Sequence, residues 1–263
     1  MLRFCVNITT MYQEFPFLAR FGAAAGDGFK AVEIQSPYAS SVEDCVAAQR
    51  KAGVEVVLIN SPAGDAAKGD RGIAALPDRV EEMKAGIETA KRYAAALGAK
   101  RMHLVAGKLE PGADLKAARD TFLENIRRAA RAMADIGLIV CLEPINTWDI
   151  PGFFLSRPAE ALALIDDCGE KNVALQYDFY HMQRMQGELT PTFERLLPRI
   201  AHVQFADTPG RHEPGTGEIN HASIFACIER SAYTGWTGAE YTPRPGRPTA
   251  ETLDWYAPYR GGR

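Results

Sequence analysis

Short β-branched runs alternate with longer amphipathic stretches along the whole chain, and this alternation constrains the fold more than any other feature. The runs read as strands at Arg3–Asn7, Ala31–Ile34, Val54–Asn60, Arg101–Val105, Leu138–Glu143, Val173–Asp178, His202–Ala206 and Gly238–Tyr241. Between them apolar residues recur at helical spacing. In Leu76–Leu97, Met83, Ile87, Ala90 and Ala94 fall on one face, and Glu81, Glu82, Lys84, Lys91 and Arg92 on the other. Leu115–Ile136 repeats the pattern, and Gly98 and Gly137 follow the two helices as left-handed stops would. Eight units in 263 residues come to about 33 residues each, enough for a βαβ unit, which needs roughly 30. No Pro-, Gly- or Ser-rich linker divides the series, and no GxGxxG follows the first strand. The pattern predicts an α/β chain folded as a single (β/α)8 TIM barrel over residues 1–263, a fold that commonly takes ~250 residues.

Composition narrows the function. With 30 basic and 33 acidic residues the formal net charge is −3, so the electrostatic footprint of a nucleic-acid or anionic-membrane binder is missing. The longest apolar runs, Val56–Ile59 and Ile136–Leu142, fall far short of the roughly 20 residues that span a bilayer. The N-terminal MLRFCVNITT reads as a strand start and has no signal-peptide layout. The five cysteines, Cys5, Cys45, Cys141, Cys168 and Cys227, are scattered and form no CxxC. Such usage points to a reducing cytoplasm and away from a disulfide frame or a structural zinc site. Cys141, inside an apolar run, is expected to pack as a small hydrophobe.

Barrel enzymes of this kind place their chemistry at the C-terminal mouths of the strands. Here the fifth strand ends at Glu143, the sixth at Asp178 and the eighth at Glu240, while the seventh carries Gln204 mid-strand and Asp207 at its end. Glu143, Asp178, Gln204 and Glu240 thus bring four oxygen donors from four successive strands toward one place. Clustered carboxylates repel and stay partly protonated unless a cation sits among them, and an all-oxygen set suits Mg2+ or Mn2+ better than zinc. His181, three residues beyond Asp178 in the following loop, is a substrate-binding candidate. His103 and His202 lie inside strands and read as packing residues, and His212 and His221 flank a polar loop, Asp207–Asn220. In that loop Gly210, Gly215 and Gly217 permit tight turns and close backbone approach to a ligand. Arg211 can present a bidentate fork to a carboxylate.

EPINTWDIPGF (Glu143–Phe153), QYDFYHMQRMQGELT (Gln176–Thr190), HEPGTGEIN (His212–Asn220) and GAEYTP (Gly238–Pro243) closely resemble segments of the hydroxypyruvate isomerases, in the xylose-isomerase-like barrel superfamily. RFCVNITTMYQEFPFLARF near the N-terminus and NSPAGD at 60–65 resemble them too, so the likeness runs nearly full length. It implies an eight-stranded barrel and a reaction of glyoxylate metabolism, the interconversion of hydroxypyruvate and 2-hydroxy-3-oxopropanoate (tartronate semialdehyde). It implies that Glu143 and Glu240 are the paired acid–base glutamates. By similarity to metal-dependent sugar epimerases of the superfamily, Glu143, Asp178, Gln204 and Glu240 would ligate one divalent ion. Those epimerases carry histidine where Gln204 stands.

That reaction removes a C3 proton and returns one at C2 through an enediolate. A carboxylate with its usual pKa of ~4.3 is too weak a base to do this unaided, and a divalent metal on the C2 oxygen would supply the missing stabilisation. Arg211 and His181 are candidates to hold the substrate's carboxylate and hydroxyl, and Lys108, after the fourth strand, is a further one. No nicotinamide or flavin fingerprint is present, so no nucleotide cofactor is expected. The sister 2-oxo-tetronate isomerases share the barrel and the HEP…GEIN loop, which makes an isomerase or epimerase of a related keto acid or sugar the alternative. A non-catalytic sugar-acid sensor is a third reading, against which both glutamates speak. Repair endonucleases of similar shape need clustered zinc-binding histidines and a basic face, and this chain has five dispersed histidines. The expected partner is a small keto acid, with no nucleic acid, no membrane, and a homo-oligomer left open.

Overall fold

A computed structural model describes residues 2–260 of the chain. Eight parallel strands close into a barrel in chain order: β1 Arg3–Asn7, β2 Ala31–Ile34, β3 Glu55–Asn60, β4 Arg101–His103, β5 Ile139–Leu142, β6 Val173–Asp178, β7 Ile200–Phe205 and β8 Trp236–Ala239. The ring shuts where Arg3 to Val6 of β1 pair in register with Trp236 to Ala239 of β8. Outside it lie α1 Arg20–Gly26, α2 Val42–Ala52, α3 Val80–Leu97, α4 Leu115–Met133, α5 Pro158–Cys168, α6 Phe179–Met185, α7 Leu189–Leu196 and α8 His221–Arg230. The expected (β/α)8 barrel is therefore the observed one. Among the described residues no helix is long and apolar enough to cross a membrane.

Local sequence accounts for the elements. Asp114 caps α4 by accepting from the backbone N–H groups of Lys116 and Ala117. Gly98 and Gly137 take left-handed φ values of 70° and 63° just past the helical segments they end, as the C-terminal stop requires. Helix α4 turns Phe122, Ile126, Ala129, Ala130 and Met133 onto the strands. Three boundaries differ from expectation in ways that matter. Strands β5 and β8 stop at Leu142 and Ala239, so Glu143 and Glu240 stand just beyond them. His181 lies not in a loop but on α6, which starts directly after Asp178 because the Asp178 side chain caps it.

Alternation along each strand sends every second side chain inward. The lower interior is apolar, with Cys5, Ala31, Val57, Leu58 and Cys141 packed together, so Cys141 packs as expected. Above them the inward positions turn polar: Asn7, Glu33, Gln176, His202 and Gln204 are all buried. Barrels usually fill these layers with branched aliphatic side chains. Here a polar layer carries the mouth.

Candidate active site

Glu143 and Glu240 emerge from β5 and β8 and line one cavity of about 280 Å³. Their surroundings differ. Glu240 Oε1 accepts from Asn7 Nδ2 at 2.9 Å and from Gln35 Nε2, and Oε2 accepts from the Arg211 guanidinium. Glu143 Oε2 lies 3.1 Å from His103 Nδ1, and Oε1 is buried with no hydrogen-bond partner. Asp178, between them on β6, caps α6 with Oδ1 at 2.8 Å from Tyr180 N, and its Oδ2 is also buried without a partner. Burial, with the charges of Glu240 and Asp178 added, pushes the Glu143 carboxyl well above its usual range. Burial likewise raises Glu240 to about 7 and Asp178 to about 6, against the opposing pull of Arg211. Such values keep a carboxyl able both to take and to give a proton near neutrality.

His181 faces the two free oxygens, with Nε2 3.8 Å from Glu143 Oε1 and 3.6 Å from Asp178 Oδ2. Its Nδ1 lies 2.8 Å from Asn146 Nδ2. The orientation of that amide follows from its oxygen, which accepts from Trp148 N, Asp149 N and Arg184 Nε. His181 Nδ1 is therefore an acceptor and Nε2 carries the proton. Burial, together with the charge of Arg211, keeps the ring neutral by holding its pKa well below the usual value. A metal-binding histidine normally donates through its second nitrogen, so the Asn146 amide makes His181 a donor toward the cavity.

The lower layer is organised by Glu33, which the strand-end rule passes over because it sits mid-strand. Its Oε1 meets His202 Nε2 at 2.6 Å and Cys5 Sγ at 3.3 Å, and its Oε2 accepts from Gln204 Nε2 at 2.7 Å and Asn7 Nδ2 at 3.3 Å. Burial raises its pKa, but the His202 contacts and the other donors outweigh that and leave it below the ordinary value. Asn7 and Gln204 are thus shared between Glu33 and the mouth. Gln204 Oε1 accepts from Gln176 Nε2 at 2.6 Å. His202, expected as a packing residue, is instead a polar partner of Glu33, while His103 stays buried beside Glu143 with its Nδ1 making no hydrogen bond. The signal for Glu33 was its place in AVEI, one acid between apolar residues.

The glycines after β7 were expected to let backbone approach a ligand. What the backbone approaches is Asp207. Its Oδ2 accepts from Gly215 N, Thr216 N and Gly217 N, and its Oδ1 from Thr208 N and Ile219 N, at 2.8–3.1 Å. A Cβ at Gly217 would strike Thr208 O. This buried carboxylate stiffens the loop that presents Arg211, whose φ of 55° is left-handed and strained for a non-glycine residue. Arg211 reaches Glu240, lies 3.6 Å from Asp178, and stacks 5.2 Å from the centre of the Tyr180 ring. Lys108 pairs with Glu110 at 3.3 Å, half exposed, and is not among the residues lining the cavity.

The donor set fits a hard divalent cation. Two buried, unpartnered carboxylate oxygens, Glu143 Oε1 and Asp178 Oδ2, converge within 4.8 Å, with the His181 Nε2–H beside them as a donor and not as a ligand. An orphaned buried carboxylate oxygen is costly unless something positive fills its place. Glu240 lines the same cavity, engaged with Arg211, whereas Gln204 does not line it and is bonded to Gln176 and Glu33 in the layer below. No group of potential ligands that the described residues bring within 4.8 Å contains more than one histidine.

A family model described as the xylose isomerase-like TIM barrel matches residues 21–259. Hydroxypyruvate isomerase of Escherichia coli K12 is 46% identical over 260 residues, covering 99% of this chain and 100% of that one. The 2-oxo-tetronate isomerase of Cupriavidus necator is 41% identical over 261 residues, covering 99% and 100%. A crystal structure described as AP endonuclease, family 2, from Brucella melitensis superposes with a TM-score of 0.95 at 42% identity, covering 99% and 100%. D-psicose 3-epimerase from Clostridium cellulolyticum H10 shares the fold at a TM-score of 0.77 and 18% identity, covering 96% and 89%.

Proposed function

We propose, from the premise that the chain belongs to the xylose isomerase-like TIM barrel family, that it is an isomerase of a small 2-keto acid, converting hydroxypyruvate to 2-hydroxy-3-oxopropanoate. The observation that carries this reading is the pair of buried glutamates, Glu143 and Glu240, on one cavity, both with raised proton affinity. The relatives named hydroxypyruvate isomerase and 2-oxo-tetronate isomerase support it.

One glutamate removes a proton from C3 of hydroxypyruvate, leaving an enediolate. The other delivers a proton to C2, and the hydroxyl proton at C3 passes to the C2 oxygen. The bond changes balance with no oxidant or reductant. His181 Nε2–H and Arg211 face the cavity and donate to substrate oxygens. Glu143 and Asp178 would hold a divalent ion, Mg2+ or Mn2+, with Glu240 and Gln204 completing the set. When bound, that ion supplies Lewis-acid stabilisation of developing negative charge, worth several kcal/mol in such sites. Asp178 serves to hold it, while Asn7 and Gln35 fix the aim of the Glu240 carboxylate.

The test is to follow tartronate semialdehyde from hydroxypyruvate with metal-stripped and with Mg2+- or Mn2+-loaded protein, beside 2-oxo-tetronate. Turnover of hydroxypyruvate by the loaded protein is expected. Efficient turnover of the four-carbon acid alone would move the substrate to the sister reaction. No turnover of either would remove the reading.

A further inference from the structure

We propose that Arg71, in the segment between β3 and α3, anchors the carboxylate of the substrate at the rim of the cavity. This deepens the keto-acid reading and rests on it. Two guanidinium groups line the cavity, those of Arg71 and Arg211. Arg211 directs its Nη2 to Glu240 and Asp178, with its buried Nε left without a partner among the described residues. Arg71 makes one hydrogen bond, from Nη1 to its neighbour's carbonyl, Asp70 O, and has no carboxylate at ion-pair distance among the described residues. Asp70, beside it in sequence, also lines the cavity, but its carboxylate is taken up by other donors. It takes the guanidinium of Arg79 at 3.1 Å and the backbone N–H of Asp65 at 2.7 Å.

The backbone that carries Arg71 is held in place. Gly72 has φ +107°, and a Cβ there would run into Val105 and the backbone of Gly107. Gly72 N donates to Ala63 O, while Ala74 N and Ala75 N donate to the carbonyls of Val105 and Ala106 after β4. The segment is stitched to the β4 end of the barrel, and Arg71 is the residue just before the stitch. Its side chain is exposed and long enough to close on a bound anion.

Charge decides the orientation of the substrate. The depth of the cavity holds Glu143 and Glu240, with Asp178 and Glu33 beside them. A substrate carboxylate placed there would be repelled in a poorly solvated site. Turned outward it meets Arg71, and the C2–C3 end is left beside the two glutamates. A planar guanidinium matches a carboxylate in a way that a lysine does not.

The experiment compares wild type, Arg71→Met and Arg71→Lys in two measurements. In steady-state kinetics, Arg71→Met should raise KM for hydroxypyruvate about tenfold or more, the scale of a lost charge-assisted hydrogen bond, while kcat stays within about threefold. Arg71→Lys should fall between. In calorimetry, glycerate, which has the carboxylate but no carbonyl to react, should bind the Met variant about tenfold more weakly. An unchanged KM and unchanged glycerate affinity in the Met variant would overturn the assignment and pass the carboxylate to Arg211, leaving the isomerase reading intact. A wild type that binds glycerate through Arg71 but turns over neither keto acid would keep the anchor and sink the isomerase reading instead. A wild type that binds no glycerate and turns over no keto acid would end both.

Discussion

Glu33 and Glu143 are both fully enclosed carboxylates inside the same barrel, yet the structure treats them in opposite ways. Each oxygen of Glu33 has two donors, and its proton affinity falls below the ordinary value. Glu143 keeps one oxygen with no partner, shares its space with two other acids, and has its proton affinity pushed well up. Burial is common to both, so burial alone decides nothing. The donors that surround a carboxylate decide whether it is a fixed anion that holds the barrel together or a group that exchanges a proton.

The comparison is most exposed to failure at the mouth. Glu143→Gln and Glu240→Gln should each cut kcat about 10²–10⁴-fold. The two losses should differ in kind. The variant lacking the C3 base cannot exchange the C3 proton of hydroxypyruvate with deuterated water, and the variant lacking the C2 acid exchanges without isomerising. Solvent-deuterium incorporation thus assigns base and acid. Near-normal turnover in either variant would take that glutamate out of proton transfer.

Asp178→Asn removes a charge from the same cluster but neither acid–base group. Activity should drop and recover in part with excess Mn2+, and metal content after dialysis should fall. Unchanged metal content would show that Asp178 holds no ion. Glu33→Gln should reverse the balance of effects. It breaks the bond to His202 deep in the barrel, so stability should fall by about 1–3 kcal/mol, read as a lower unfolding midpoint at pH 7. A drop in rate with no loss of stability would place Glu33 among the groups that act on the substrate.

The two kinds of carboxylate also predict opposite pH responses. Asp178 and Glu240 hold their protons more tightly in the folded chain, at about 6 and about 7. The stability this gives is complete below their ordinary values and is lost as pH rises through 6 and 7. Glu33, with its folded value lowered, contributes stability that is present at neutral pH and lost only in acid, as pH falls through that lowered value. In metal-free protein the unfolding midpoint of wild type should therefore fall relative to that of Glu240→Gln between pH 5 and 7.5. A constant gap would contradict the raised affinity of Glu240. The smallest effect is expected at Lys108, which faces Glu110 at the surface. Lys108→Ala should leave kcat/KM within about twofold, and a larger loss would bring that lysine back to the substrate.

The barrel was legible because strand and helix periods alternate without interruption, and Glu143, Asp178 and Glu240 were legible because each follows an apolar run. What stayed hidden needed closure of the ring. Glu33 and His202 stand 169 residues apart in the chain and meet only because β2 and β7 face one another across the interior. Asp207 was visible as a strand-end acid, but its use depends on five backbone N–H groups whose directions no composition reveals. Lys108 was singled out by its place after a strand, and nothing in the sequence shows that its side chain turns outward to Glu110. His181 was found by its distance from Asp178. Its tautomer depends on an amide 35 positions earlier, beyond the reach of any spacing rule.

Gly238, on β8 directly below Glu240, has no side chain for a reason that lies on another strand. A Cβ there would collide with Glu33 Oε1, and that oxygen cannot swing aside without giving up His202 and Cys5. The consequence is a constraint on the order of change. Alanine at 238 is blocked while glutamate remains at 33, and loss of the glutamate first leaves an unfilled, partly unsatisfied interior. The two positions form a lock that no single substitution opens cleanly, so variation at one is expected only together with variation at the other, and redesign of the layer beneath the mouth has to begin with both.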